Sequence, residues 1–331
     1  MKPAPARCNL PGSMLFAYYV HHLSPFLVEF AHGIGVRWYG LAYVAGFLVG
    51  IALYKRLARQ GYSDLQPEAV SDFIIWGAIF GVVLGGRLGY MLLYDFDAFR
   101  ADPLVFFRIW DGGMASHGGM IGLALYTLWY ARRHKASWRN LSDNLVVVAP
   151  LGLLFGRLAN FVNGELFGRA TTVPWAMQFP KELYLSDTPG QIQEQAAAIQ
   201  VATAINPAWN NVPAIEEAAR SSEQLRVELA QILTPRHPSQ LYEAALEGAV
   251  LFTLLWLLRT RVRLPNGVLT GVFFIAYALL RIAGECFREP DAPLTGPFSR
   301  GQFLSFFLVL LGLGFLIFAR LRPSWPPRWQ R

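Results

Sequence analysis

The chain has 331 residues, 54% of them hydrophobic and only 15% charged, and its 29 Lys and Arg against 22 Asp and Glu leave a formal net charge of +7. Soluble domains carry about 25% charged residues; here the apolar excess gathers in blocks of about 16–22 residues, the length a helix needs to cross a hydrocarbon core of about 30 Å. That pattern excludes a disordered chain, a coiled coil, a secreted disulfide scaffold and a nucleic-acid binder, and two cysteines, Cys8 and Cys286, make neither a disulfide framework nor a thiolate metal cluster.

Residues 1–35 read as an N-terminal extension and an interfacial segment. Residues 14–30 are apolar but broken by His21, His22, Ser24, Pro25 and Glu29, and no clean apolar core precedes a small-residue cleavage site; Met14 is an alternative start. Apolar runs bounded by charge then predict seven spans, at 36–54, 73–94, 117–131, 145–161, 241–258, 267–282 and 302–319. The third and sixth runs are short, which predicts helices that extend past them or a locally thinner bilayer.

Basic clusters follow the first span (Lys55, Arg56, Arg59), the third (Arg132, Arg133, Lys135, Arg139), the fifth (Arg259, Arg261, Arg263) and the last (Arg320, Arg322, Arg328, Arg331). With seven spans all four share one side, and the positive-inside rule makes that side cytoplasmic, with the N-terminus outside and the C-terminus inside. Binding of anionic headgroups is the lesser reading of the same clusters. The expected fold is therefore all-α and integral to the membrane: spans one to four within 36–164, a small extracytoplasmic cap at 165–238, spans five to seven within 239–319, and a basic cytoplasmic tail at 320–331. Inside the cap, 191–204 and 214–233 read as helices separated by a turn at Pro207, Asn210, Asn211 and Pro213.

An ionisable residue near the centre of a span costs at least about 2.5–3.5 kcal/mol, so each is a candidate functional position. Arg37 and Tyr39 open the first span, Arg87 lies late in the second, His117 opens the third, Arg157 and Asn160 close the fourth, Glu243 and Glu247 open the fifth, and Arg281 and Glu285 close the sixth. Because successive spans alternate in direction, these positions share one level and form a polar chamber in the outer half of the membrane. The inner halves look almost free of charge, which speaks against a continuous ion pathway; a transporter would place its site nearer the midplane. Arginines outnumbering carboxylates at headgroup depth suit a phosphate, to which a guanidinium gives two parallel charge-assisted hydrogen bonds. For Arg37 and Arg87, snorkelling or a structural pair is an equal reading.

Four segments carry the densest pattern: SHGGMIG at 116–122, GRLANFVNGELFGR at 156–169, RHPSQLYEA at 236–244 and YALLRIAGECFREPD at 277–291. With VRWYGLAY at 36–43 and LGGRLGY at 84–90, they resemble, in order and spacing, the bacterial prolipoprotein diacylglyceryl transferases. The chain departs from that pattern at Met120, where leucine is common, at Ala159, where glycine is common, and at Cys286, where an aromatic is usual; its 187–234 segment is also longer. The resemblance implies a reaction in the bacterial inner membrane, at its outer leaflet. The sn-1,2-diacylglyceryl group of phosphatidylglycerol moves to the lipobox cysteine of a prolipoprotein signal peptide, a thioether forms and glycerol 1-phosphate leaves. No cofactor is implied, and nothing in the chain has metal-ligand spacing or a nucleotide loop.

Displacement at the glycerol carbon needs a stabilised phosphate leaving group and an activated thiol. Arg157 and Arg281 are the expected phosphate grip, and the resemblance points to the same positions. A thiol with a pKa of about 8.5 must lose its proton; histidine titrates near neutrality, which makes His117 the candidate base, with anchoring of phosphate or of a helix end as its structural alternative. Glu285, four residues after Arg281, orients that guanidinium or forms a plain structural pair. Asn160 offers a partner to phosphate or glycerol hydroxyl, Glu165 a charge partner and Gly168 backbone access, while Tyr39 and Tyr277 bind the headgroup or line the entrance. His237 reads as part of a turn, and Gly77, Gly81, Gly85 and Gly89 as a helix-packing stripe. Of a different class is an anionic-lipid transporter or flippase; a metal-dependent lipid-phosphate transferase would need paired aspartates that the spans lack.

Overall fold

The computed structural model describes residues 18–31, 34–108, 112–289 and 300–329; Cys8, Met14, the Pro290-Asp291 end of the last motif and Arg331 lie outside them. The described residues divide into two compact units, one of 18–24, 161–239 and 287–289, the other of the remainder.

Among the described residues six helices are long and apolar enough to cross a membrane: α1 (Trp38–Arg59), α2 (Ala69–Leu93), α4 (Trp138–Val162), α8 (Ser239–Arg261), α9 (Val268–Glu285) and α10 (Gly301–Leu321). The run at 117–131 is also helical, as α3 (Ser116–Arg133). It opens on Ser-His-Gly-Gly and closes on Arg-Arg, so its apolar stretch is shorter than in the six. Wide π-helical turns interrupt α2 at Gly77–Val83 and α8 at Ala244–Val250; such turns concentrate at functional sites.

Among the described residues two short strand pairs accompany the helices of this mostly helical chain. Phe26–Ala31 (β2) pairs antiparallel with Ile34–Arg37 (β3), and Tyr19–Val20 (β1) pairs in parallel with Met177–Gln178 (β4). Val36 therefore belongs to a hairpin, and the first span starts at Trp38, after Arg37 in extended conformation (φ −87°, ψ 141°). β-Branched Val28, Ile34 and Val36 favour the pleated state, and a side chain at Gly35 would overlap the Val28 carbonyl.

The glycine stripe of α2 packs on α3. A Cβ at Gly85 would sit 2.7 Å from the Gly118 carbonyl and 3.0 Å from Gly122 Cα, so the two backbones meet through glycine on both sides. Further along, Tyr54, Phe73, Tyr126 and Leu141 form one buried cluster and Leu57, Val147, Leu251 and Leu269 another.

The expectation of inner span halves nearly free of charge is corrected. α4 begins seven residues before the predicted run, and so brings Asn140, Asp143 and Asn144 into the interior, each with no exposed surface. Asp143 accepts from Gly267 N (2.8 Å), Thr270 N (2.8 Å) and Thr270 Oγ1 (2.7 Å), while buried Arg259 donates to Asn144 Oδ1 from Nε (3.2 Å) and Nη2 (3.0 Å). Each of these charges has its partners, which is how buried charge is tolerated.

In the other unit, α5 (Pro189–Ile205) starts with a capping box between Thr188 and Gln191. The second predicted helix is two, α6 (Val212–Ser221) and α7 (Glu223–Leu229), because Ser222 leaves helical geometry and its hydroxyl caps α7 at Leu225 N (3.2 Å). Ala198, Ala202, Ile215, Ala219, Leu225 and Leu229 form the core between the three.

Candidate active site

Three helices bring their ionisable residues to one point. Arg157 on α4 lies with Nη1 2.9 Å from Glu243 Oε2 and Nη2 3.2 Å from Glu247 Oε2, both on α8. From α9, Arg281 Nη1 lies 3.0 Å from Glu243 Oε1 and 3.1 Å from Glu247 Oε1, while its Nη2 meets Glu285 one turn on. Glu243 and Glu247 thus each bridge both arginines. The two carboxylates have no exposed side-chain surface, whereas each arginine keeps 15%, so of these four side chains only the arginines reach the surface.

The predicted excess of arginine over carboxylate is corrected here: two guanidinia face three carboxylates. The carboxylates fix the planes and directions of the guanidinia and leave their remaining N–H groups for an incoming anion. Gly301 makes room for this, since a Cβ there would lie 2.7 Å from Glu285 Oε1 and 3.4 Å from Arg281 Nε. In the sequence Glu243 and Glu247 open the fifth span with no role of their own; the readable signal is a pair of carboxylates four residues apart in an apolar span.

Arg157 and Asn160 are also the polar end of a cavity of about 490 Å³ between α1 and α4. Its wall is otherwise largely apolar and includes Gly46, Gly50, Gly152 and Gly156, with α1 close to α4 at Gly46, where a Cβ would lie 3.4 Å from Gly152 Cα. Nothing lies within 4 Å of where a Cβ on Gly152 or Gly156 would be. Tyr43 lines this cavity, and Tyr39 packs against Tyr43 with ring centroids 5.2 Å apart. Tyr277, one turn before Arg281, stacks on Phe273 at 5.8 Å.

Arg87, expected at the substrate, is engaged within the chain. Its five N–H donors all go to backbone carbonyls: Phe106 (3.0 Å), Val105 (2.5 Å), Arg108 (2.9 Å), Gly113 (3.1 Å) and Gly112. With 2% of its surface exposed, Arg87 is the anchor of the loop between α2 and α3. His117 is half-buried on the first turn of α3 and stands outside the Arg157–Arg281 ion-pair network.

Glu165 and Gly168 belong to the other unit. Glu165 Oε1 accepts from Asn163 Nδ2 at 3.3 Å. Gly168 donates its N–H to the His237 carbonyl (2.8 Å), and a Cβ there would come within 2.6 Å of that oxygen, so the expected backbone access to a ligand gives way to tight packing of three segments. His237, expected in a turn, donates its backbone N–H to the Arg169 carbonyl at 3.0 Å, and burial lowers its imidazole pKa. Arg236, at the start of the RHPSQLYEA motif, pairs with buried Glu182 and, at 3.2 Å, with Glu289. Burial pushes the Glu182 carboxyl up to about 8, against the pull of Arg236.

Comparison with known proteins bears on what such a site serves. The family model described as prolipoprotein diacylglyceryl transferase matches residues 25–318. The chain is 39% identical over 304 residues to the phosphatidylglycerol–prolipoprotein diacylglyceryl transferase of Neisseria gonorrhoeae (strain NCCP11945), covering 90% of this chain and 96% of the relative. The enzyme of the same name from Coxiella burnetii (strain Dugway 5J108-111) is 38% identical over 301 residues, covering 89% and 94%. The matched span takes in both arginines, the three glutamates paired with them and the glycine-walled cavity, and it is as a member of the prolipoprotein diacylglyceryl transferase family that this chain carries them.

Proposed function

We propose that the chain transfers the sn-1,2-diacylglyceryl group of phosphatidylglycerol to the lipobox cysteine of a prolipoprotein, the first step of lipoprotein maturation. The observation that carries this reading is the position of Arg157: one guanidinium is both held by Glu243 and Glu247 and set at the polar end of an apolar cavity. A phospholipid matches that combination, with acyl chain in the cavity and phosphate at the arginine.

In the reaction the cysteine sulfur attacks the sn-3 carbon, the S–C bond forms, the C–O bond breaks, and its electron pair leaves on the phosphate oxygen of glycerol 1-phosphate. Arg157 and Arg281 stabilise the charge that develops there, in a site where exclusion of water strengthens each interaction. Glu243, Glu247 and Glu285 aim the two guanidinia. His117 takes the thiol proton, Asn160 holds phosphate or glycerol hydroxyl, and Tyr39 and Tyr277 border the headgroup. Glu165 and Gly168 shape the chain that follows α4. The topology that serves this chemistry has α3 as a seventh span, the N-terminus outside and the C-terminus in the cytoplasm of a bacterium, residues 165–238 as an extracytoplasmic cap, and the arginines toward the outer leaflet of the inner membrane.

The test uses purified protein in detergent with phosphatidylglycerol and a lipobox peptide, following peptide mass and release of glycerol phosphate. The wild type should add a diacylglyceryl mass to the cysteine, and Arg157→Ala and Arg281→Ala should lose that product while remaining folded. Lipid binding without peptide product or glycerol phosphate would overturn the assignment.

A further inference from the structure

A second arginine cluster lies at the other end of the helices. Tyr43 of α1 and Asn160 of α4 line the apolar cavity, whereas Arg56 lies 13 residues further along α1, about 20 Å at 1.5 Å per residue. There Arg56, Arg261 from the last residue of α8, and Arg328 from the short helical turn Pro327–Trp329 line a cavity of about 330 Å³ together with Gln60, Tyr62 and Trp256.

Two of these guanidinia, those of Arg56 and Arg328, are held in place by aromatic rings, and that of Arg328 by a backbone carbonyl as well. Arg328 lies 4.9 Å over Tyr62 and 5.5 Å over Trp329, and donates from Nη1 to the Gln60 carbonyl (3.0 Å) and from its backbone N–H to Gly61 (2.8 Å). Arg56 lies 5.8 Å over Trp256. Tyr62, 2% exposed, is fixed by its hydroxyl to the Thr260 carbonyl at 3.1 Å, and Trp329 is tied down through Arg263 Nη2, which donates to its carbonyl at 2.9 Å. No acidic side chain lines the cavity, and among the described residues none of the three arginines is in an ion pair. The contrast with Arg157 and Arg281 is physical: those charges are matched inside the protein, whereas these three repel one another until an anion enters. Stacking on rings leaves the N–H edges of a guanidinium free, the edges that fit phosphate oxygens.

We propose that this cavity binds a phosphate group, carried by the headgroup of an anionic phospholipid or by a soluble phosphate, at a site distinct from the one that holds the transferred lipid. In the topology proposed above it faces the cytoplasmic leaflet, but the site itself stands on the cavity and its unmatched charge. The test is native mass spectrometry of the full chain in detergent, titrated with phosphatidylserine, with and without inorganic phosphate. The wild type should retain one more lipid than R56Q/R261Q/R328Q, or bind it at least about tenfold more tightly, with peptide lipidation at saturating phosphatidylglycerol unchanged between the two. Displacement of that lipid by millimolar inorganic phosphate assigns the site to soluble phosphate; persistence assigns it to a headgroup. Should the triple variant not fold, Arg56→Gln alone, at an exposed position, serves as the second variant and should weaken the extra adduct. Equal lipid number and affinity in wild type and variants, with no phosphate-dependent shift in thermal unfolding, would overturn the proposal.

Discussion

Glu243→Gln separates the aiming of the arginines from the stability of the fold. Glutamine keeps the volume and one acceptor oxygen but removes a charge from a side chain with 0% exposure, 2.9 Å from Arg157 Nη1 and 3.0 Å from Arg281 Nη1. Removing one member of a buried pair costs about 3–5 kcal/mol when it strands the counter-charge. Here Glu247 still bridges both guanidinia and Glu285 still holds Arg281. Two arginines then face two carboxylates, and the loss falls nearer the roughly 1.5–3 kcal/mol of a hydrogen bond to a charged group. Turnover suffers more than folding, because losing a well-placed donor at a developing oxyanion costs about 2.7–4 kcal/mol, a fall of about 10²–10³ at 1.36 kcal/mol per factor of ten. The freed N–H edges can still hold ground-state phosphate, so KM for phosphatidylglycerol should stay constant or fall. Peptide lipidation kinetics and thermal unfolding on the same preparation provide the assay. Wild-type kcat in the variant would refute the idea that the bridge aims the arginines, and complete loss of fold would refute the charge-balance argument.

Three further outcomes follow from the geometry. Gly152→Leu fills the cavity at a position with no atom within 4 Å of a Cβ; thermal stability should hold or rise, a helical glycine costing about 1 kcal/mol relative to alanine, while KM for phosphatidylglycerol rises about tenfold or more, and an unchanged KM would remove the cavity from lipid binding. Arg87→Lys replaces five donors by three and should deprotect the backbone amides of the loop before α3 in hydrogen exchange with little change in KM; slow exchange there would contradict the anchor. For the unit that contains both His21 and Glu182, stability should peak between about pH 4.5 and 6.5. Burial lowers the His21 pKa from 6.5 to about 4, so its contribution is lost as pH falls through that interval. Glu182 is raised from 4.5 to about 8, so its contribution is present below 4.5 and lost as pH rises through 8. Where the intervals overlap the two slopes oppose each other. His21→Phe should flatten the acid side and Glu182→Gln the alkaline side of a pH series of thermal unfolding, and unaltered profiles would refute both assignments.

What could be read from sequence follows from the range of the forces involved. A run of some 20 apolar residues declares a helix by itself, and Arg157, Arg281 and Glu285 stand out because a charge in such a run is costly. The bridge by Glu243 and Glu247 joins three helices that are distant in sequence, and the carbonyls that saturate Arg87 come from a loop whose residues bear no mark of it. The hairpin at 26–37 was hidden for a local reason, since short apolar runs are ambiguous between strand and helix, and this one, marked only by Glu29, His32 and Arg37, lies directly against the apolar run of α1.

The glycines make the limit clearest. Gly81, Gly85 and Gly89 on α2, Gly46 and Gly50 on α1, and Gly152 and Gly156 on α4 share one spacing of four residues, which read alone means close helix packing. On α2 that reading holds, because Gly118 and Gly122 of α3 face the stripe and the backbones meet. At Gly152 and Gly156 nothing lies within 4 Å of where a Cβ would be, and the same spacing opens a cavity beside Arg157. A row of glycines provides only a flat helix face; whether it becomes a contact or a binding site depends on what the facing helix brings, and that is a property of the assembled fold.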